Sequence, residues 1–235
     1  MLRHRLTPFV CGCLLAATAA CERAVKSPAP ATAPERADAR VRELADAYLE
    51  GFFERNPDQV TLYGVPGRHH DALPDNALDA LKAWQAREDA WLAQAKQIAP
   101  AAIAAAPLRG TYAIVREALE GSVGKRVCRD ELWNVSQMTG WQVSFGYLVT
   151  IQPVGSDEAR REALARWSRL PQYIDTEIVN LRDGLKAGYS APKGNVRIVV
   201  DQLNSLIATP TADSPFDSPS VRDKTPAFAA QFDVL

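Results

Sequence analysis

Histidine is scarce in this chain, which has three histidines in 235 residues, at positions 4, 69 and 70. No His-Glu-x-x-His segment occurs, which excludes the zinc site that two histidines one helical turn apart would build. A Ser-His-Asp arrangement would have to use His69 or His70, and the Gly-x-Ser-x-Gly turn is also missing. The sequence therefore offers no residue to which a catalytic role can be assigned.

His69 and His70 follow each other in a glycine- and proline-rich loop between residues 59 and 74. They could ligate a metal or exchange protons, but neighbouring side chains in a loop rarely converge on one ion without further ligands. We therefore expect a solvated turn, no metal ligand, and no cofactor held by this chain.

Cysteine is equally sparse in the body of the protein. Three of the four cysteines, Cys11, Cys13 and Cys21, lie near the N-terminus, which leaves Cys128 alone in the remaining sequence. A single cysteine forms no internal disulfide and no metal cluster. We expect Cys128 to be a packed small hydrophobic residue, because no histidine lies near it in sequence.

Charge of one sign is not in excess either, since the formal net charge is -1. A chain without a strong positive field is a poor ligand for nucleic acid, and no nucleic-acid partner is expected. The segment 121–126, Gly-Ser-Val-Gly-Lys-Arg, is not a phosphate-binding loop, because that motif needs a glycine at Leu119 and Ser or Thr at Arg126. Nucleotide binding is therefore excluded.

Long apolar runs are missing as well. The uncharged segment Phe9–Ala20 follows Arg3 and Arg5 and is shorter than the roughly 20 apolar residues of a transmembrane helix. This pattern is typical of a secretory signal. We expect residues 1–21 to be a signal peptide and the protein to be exported to the periplasm.

Small residues immediately before Cys21 resemble a bacterial lipoprotein signal, in which the cysteine is lipidated and becomes the N-terminus. Thr18 stands where that signal prefers leucine, so cleavage after Ala19 or Ala20 remains an alternative. We expect a lipid anchor at Cys21 that attaches the protein to the membrane. The Pro/Ala-rich segment 22–36 is predicted to be an extended tether.

Beyond the tether, apolar residues recur with the spacing of helices, and no strand alternation of useful length is present. The sequence predicts an all-α fold, an irregular multi-helix array, with a helical domain over residues 37–209. Helices beginning at Pro171 and spanning Lys193–Ala208 are predicted to form a C-terminal antiparallel hairpin. Residues 210–235 are predicted to be a loop and the start of a truncated helix at Thr225-Pro226.

The segment 129–142 concentrates tryptophan, asparagine and glutamine among alanine-rich helices. Buried indoles and amides need hydrogen-bond partners. Such a segment therefore either bonds the helices around it or lines a cleft where amides bind a peptide backbone. On the second interpretation the substrate-binding residues are Trp133, Asn134, Gln137, Met138, Trp141 and Gln142.

Several segments together resemble the bacterial family called domain of unknown function 885. They are Leu44–Tyr48, Asn56-Pro57, Leu73–Asp75, Leu132–Gly140, Leu170–Ile174, Leu181–Leu185 and Asp213–Phe216. The resemblance covers the N-terminal part of the family's usual length. It implies an exported or lipid-anchored helical protein, similar to zinc metallopeptidases whose His-Glu-x-x-His helix lies in the C-terminal part.

The resemblance implies that this chain contributes a cleft wall for a peptide substrate, while zinc is expected only in full-length relatives. Because the motif is missing here, the chain is expected to be inactive alone. Two alternatives remain open: a non-catalytic helical envelope lipoprotein that acts as a binding or scaffolding module, and a truncated product with no settled role.

Overall fold

The computed structural model describes residues 32–235, which are helical and contain no strand. The prediction of an all-α fold is confirmed. The predicted signal peptide 1–21, the lipidation site Cys21 and residues 22–31 of the predicted tether lie outside the described residues.

Ten α-helices follow one another within residues 32–235. They are α1 Ala33–Arg55, α2 Pro57–Leu62, α3 Leu78–Lys96, α4 Ala106–Lys125, α5 Trp141–Thr150, α6 Asp157–Trp167, α7 Leu170–Lys186, α8 Lys193–Ala208, α9 Ser218–Arg222 and α10 Pro226–Phe232. Short 3-10 turns lie at residues 100–102, 126–128, 130–132, 211–213 and 215–217. Among these helices, none is long and apolar enough to cross a membrane.

The first helix begins earlier than residue 37, inside the segment predicted to be a tether. Thr32 caps it, because its hydroxyl accepts from the Glu35 peptide N–H while its own N–H donates to Glu35 Oε2 at 2.6 Å. This reciprocal pairing satisfies two backbone donors at the start of the helix, and Pro34 suits its first turn. The extended conformation predicted for residues 33–36 is therefore wrong.

The α1, α3 and α4 helices pack together around the first hydrophobic core. Its most buried side chains include Val41 from α1, Ala95 from α3 and Leu119 from α4. The Tyr112 hydroxyl also lies in this core and donates to the Ala95 carbonyl at 3.2 Å, so its polar end is satisfied.

A second hydrophobic core is built from α5, α6, the start of α7 and α10. Phe145, Val149 and Trp167 are buried in it together with Phe228 and Phe232. The predicted helix at Thr225-Pro226 is thus present as α10, and its two phenylalanines pack into this core. Burying a phenylalanine side chain contributes about 1.5–3 kcal/mol, which explains why so short a helix is held in place.

The α7 helix packs closely against the 3-10 turn at residues 130–132. Gly184 permits this approach, since a Cβ atom there would lie 1.8 Å from the Leu132 carbonyl oxygen. The α8 helix buries none of its residues. The antiparallel hairpin of α7 and α8 stays a prediction, because the extensive contacts of α7 go to residues 130–132.

Candidate functional site

The segment 129–142 leaves α4 through a sharp change of direction at Arg129, whose φ is +49°. The residue before it, Cys128, is exposed and free, so the prediction that it packs as a buried hydrophobic residue is wrong. It lies at the end of a surface 3-10 turn, where the chain has already left the α4 packing face. The carbonyl of Cys128 accepts a 2.8 Å hydrogen bond from Trp133 Nε1.

Asn134 connects the segment to α7. Its side-chain amide donates to Glu177 Oε1 at 3.3 Å, and the Tyr173 hydroxyl donates to the same oxygen at 3.2 Å. Glu177 is buried, so these two donors satisfy a carboxylate that would otherwise be costly to desolvate. Burial, followed by the charge of Glu177, raises the pKa of Tyr173 above its usual value.

Gln142 and Gln202 connect the same segment to α8. Gln142 Nε2 donates to the Ser136 carbonyl at 2.9 Å and to Gln202 Oε1 at 3.0 Å, and Gln202 Nε2 donates to the Gln137 carbonyl at 3.1 Å. We call the depression beside these amides the α5–α8 groove. Its volume is about 500 Å³, and it is lined by Gln142, Val143, Ile198, Asp201, Gln202, Ser205, Leu206 and Thr209.

Four of the six predicted binding residues lie in different surroundings. Gln142 lines the α5–α8 groove, Asn134 bonds α7, and Trp141 packs against the second core. Met138 is 73% exposed. The amides of Asn134 and Gln142 thus bond neighbouring helices, in keeping with the first interpretation of this segment, and the role of the six residues in substrate binding stays a prediction.

A second group of polar residues lies where the loop after α2 meets α6. His69 Nδ1 lies 2.6 Å from Glu162 Oε1, and the His70 peptide N–H donates to Glu162 Oε2 at 3.1 Å. Glu158 stands one turn before Glu162, and ligand atoms of Glu158, Glu162 and His69 all lie within 4.8 Å of one another. We call this trio the His69 cluster.

The electrostatics of the His69 cluster follow from these contacts. The hydrogen bond with Glu162 raises the pKa of His69 above its ordinary value. Burial acts to raise the pKa of Glu162, but the hydrogen bonds from His69 and the His70 N–H outweigh it, and the pKa is lowered. Burial, assisted by the nearby Arg166 charge, lowers the pKa of His70. His69 therefore keeps its proton to a higher pH than His70 does.

Arg166 holds the loop that carries these histidines. Its side chain is 0% exposed, and it donates to Ala72 O at 2.9 Å, Thr61 Oγ1 at 2.7 Å and Gln152 Oε1 at 2.8 Å. Gln152 in turn donates to the His70 carbonyl at 3.1 Å. The loop is thus fixed to α6 and to the segment just after α5 by a buried polar network, which positions the backbone of His70 against Glu162.

A metal site at His69 and His70 was not expected, because adjacent side chains in a loop rarely converge on one ion without further ligands. The fold supplies two carboxylates, Glu158 and Glu162, that are some 90 residues away along the chain, as the separation of 93 between His69 and Glu162 shows. Their spacing of four places both on one face of α6. That spacing was visible in the sequence, but nothing local indicated which loop would face it.

Comparison with family models matches residues 57–234, more than half of the chain, to a family described as a bacterial protein of unknown function, DUF885. A comparison with curated proteins found no match.

Proposed function

We propose that this chain, which belongs to the DUF885 family, forms the N-terminal helical part of an exported, metallopeptidase-like lipoprotein. In this role it contributes one wall of a peptide-binding cleft. The chain lacks the His-Glu-x-x-His motif, so we assign no catalytic role to its residues and expect it to be inactive alone. The resemblance of its sequence segments to a metallopeptidase-like family supports the proposal.

The observation that carries the proposal is the α5–α8 groove. The paired amides of Gln142 and Gln202 lie beside the apolar side chains of Val143 and Ile198, both of which are partly exposed. Amides bond the backbone of an extended peptide, while apolar surface holds its side chains. A groove with both features suits a peptide better than a charged metabolite.

Binding to this groove is tested with the variant Ile198→Glu, which places a charge on its apolar lining. Fluorescence anisotropy with fluorescein-labelled casein peptides should show an affinity at least about tenfold lower than that of the parent chain, because the charge must be desolvated. The control Val179→Glu adds the same charge to a position on α7 that is 53% exposed, against 44% for Ile198. The proposal fails if the parent chain does not bind the peptides or if Ile198→Glu binds them as tightly as Val179→Glu.

A second variant tests whether the segment 129–142 lines a cleft or only bonds the helices around it. In Asn134→Ala/Gln137→Ala, a lower peptide affinity with an unchanged melting temperature supports a cleft. A fall in melting temperature with unchanged affinity supports a purely structural role, in keeping with the hydrogen bond from Asn134 to Glu177.

The lipid anchor at Cys21 is a proposal of its own, supported by the apolar signal-like run before it. In bacteria fed an alkyne-tagged fatty acid, the parent chain should be labelled and Cys21→Ser should not. The control Cys128→Ser, which alters the exposed free cysteine, should retain the label. An unmodified mature N-terminus in mass spectrometry would contradict acylation.

One observation favours the alternative, a non-catalytic helical envelope lipoprotein that acts as a scaffolding module. The α8 helix exposes Val196, Ile198, Val200 and Ile207, and such apolar surface is suited to a protein partner. Under this alternative the chain binds no casein peptides in the assay above.

A further inference from the structure

We propose that His69, Glu158 and Glu162 form a binding site for a divalent transition-metal cation, of which Zn²⁺ is the probe of choice. The site is separate from the α5–α8 groove and does not depend on the function proposed for it. One nitrogen and two carboxylate oxygens are a donor set that zinc accepts, and three protein ligands leave a coordination position open.

Zinc binding at this site needs only modest side-chain movements. Neighbouring ligands of a tetrahedral zinc ion, with bonds near 2.0–2.1 Å, lie about 3.4 Å apart. The three ligand atoms already lie within 4.8 Å of one another. His69 and Glu158 are exposed, whereas Glu162 is anchored, with its side chain 13% exposed. Rotation of Glu158 can therefore bring its carboxylate to the site, while His69 Nδ1, which lies 2.6 Å from Glu162 Oε1, needs to separate slightly from that oxygen to admit the ion.

Glu162, the anchored ligand of the site, is held in place by a series of hydrogen bonds. One oxygen of Glu162 accepts from the His70 peptide N–H, which leaves the other oxygen directed at His69. The His70 carbonyl is held by Gln152, and Gln152 is held by the buried Arg166. Outer hydrogen bonds of this kind orient metal ligands and strengthen binding.

Charge and space around the His69 cluster also favour a cation. Arg68, the nearest cationic neighbour in sequence, pairs with Glu50 and stacks on Phe53, with its guanidinium carbon 5.0 Å from the ring centroid. The charge of Arg68 is therefore paired with Glu50, although its side chain also lines the cavity of about 300 Å³ that adjoins the cluster. The same cavity is lined by Gly67, Pro153, Ser156 and Ala159. It offers room for water or a small ligand at the open position.

Isothermal titration of the untagged chain with ZnCl₂ tests the site. We expect one equivalent to bind, and affinity to fall by about tenfold or more in Glu158→Gln and in His69→Gln, since each removes one of three ligands. Both side chains are exposed, so neither variant should unfold the protein. Circular dichroism melts of the zinc-free proteins check this point.

Two controls separate the site from other zinc ligands. Asp157 lies on the same turn of α6 as Glu158, but its carboxylate accepts from Arg160 and is not part of the His69 cluster. The variant Asp157→Asn should therefore bind zinc like the parent chain. Cys128→Ser excludes the exposed thiol as a ligand. The proposal is overturned if the parent chain shows no saturable binding, or if Glu158→Gln and His69→Gln bind zinc as tightly as Asp157→Asn.

Discussion

At the scale of single residues, Arg166 shows how a charge can be buried without a carboxylate bonded to it. Desolvation lowers the pKa of its guanidinium to about 10, so it remains charged at neutral pH. Its hydrogen bonds go to neutral acceptors on the α2 helix, in the following loop and at Gln152, just after α5. The cation therefore acts as a clamp between segments that are distant in sequence.

Replacing Arg166 by alanine should destabilise the protein by about 3 kcal/mol or more, because buried acceptors lose a charged donor and a cavity is left. Urea unfolding at pH 7 measures this. The control Arg161→Ala, at an exposed position five residues earlier on α6, should change stability by less than about 0.5 kcal/mol. Equal stability of both variants would show that the buried hydrogen bonds contribute nothing.

Asp223 makes stability depend on pH. Hydrogen bonds from the Thr225 hydroxyl, Arg160 and the Thr225 peptide N–H lower the pKa of Asp223 well below its ordinary value. A group whose pKa is lower in the folded state stabilises it above the unfolded pKa, which is about 3.9 for aspartate. That stabilisation is lost as the pH falls through the folded pKa.

The variant Asp223→Asn should therefore melt at a lower temperature than the parent chain at pH 7, and the difference should narrow below about pH 4. Melting curves followed by circular dichroism between pH 7 and pH 3 measure it. Asp175→Asn, which removes an exposed carboxylate on α7, is measured beside it as the control for the substitution itself. A constant difference across this range would contradict the linkage to Asp223.

At the scale of elements, the helices that were predicted well are those whose periodicity and end signals agree. The α8 helix spans the predicted residues 193–208 because apolar spacing, Pro192 and Pro210 all indicate the same limits. The α2 helix was missed, since six residues starting at Pro57 are too few to show a helical period. Pro57 follows the end of α1 and also occupies the first position of α2.

The close approach of α7 to residues 130–132 gives a prediction at this scale. Gly184→Ala should destabilise the protein by about 3 kcal/mol, because the new Cβ overlaps the Leu132 carbonyl and the backbone must move. Gly110→Ala is the matched control inside α4, where a Cβ meets no atom within 4 Å, and it should stabilise by about 0.5–1 kcal/mol. Urea unfolding of both variants compares them, and a neutral Gly184→Ala would refute the tight contact.

At the scale of the whole molecule, both candidate sites depend on contacts between residues that are distant in the sequence. The contact between His69 and Glu162 joins residues that are 93 positions apart, and the bond between Gln142 and Gln202 joins residues that are 60 apart. Hydrophobic periodicity predicts helices, but it carries no information about which polar faces meet. The fold class was therefore predictable from the sequence, whereas the His69 cluster and the α5–α8 groove were not.

The two hydrophobic cores are joined by specific polar contacts. Asn76, two residues before α3, donates to the Tyr173 carbonyl at 2.9 Å, and Asn180 of α7 donates to the Asn76 carbonyl at 2.8 Å. These two bonds tie the segment that leads into α3 to α7. We expect the described residues to unfold in one cooperative transition, as compact domains of this size commonly do.

Leu119→Ala tests this coupling, because Leu119 is 0% exposed and belongs only to the first core. The truncation should cost about 2–5 kcal/mol through lost burial and a cavity. With 5-fluorotryptophan in place of the five tryptophans, fluorine NMR in urea follows Trp91 in the first core and Trp167 in the second. Both signals should shift to the same lower midpoint in Leu119→Ala, because one transition unfolds both cores. An unchanged midpoint for Trp167 beside a lowered one for Trp91 would mean that the cores unfold independently.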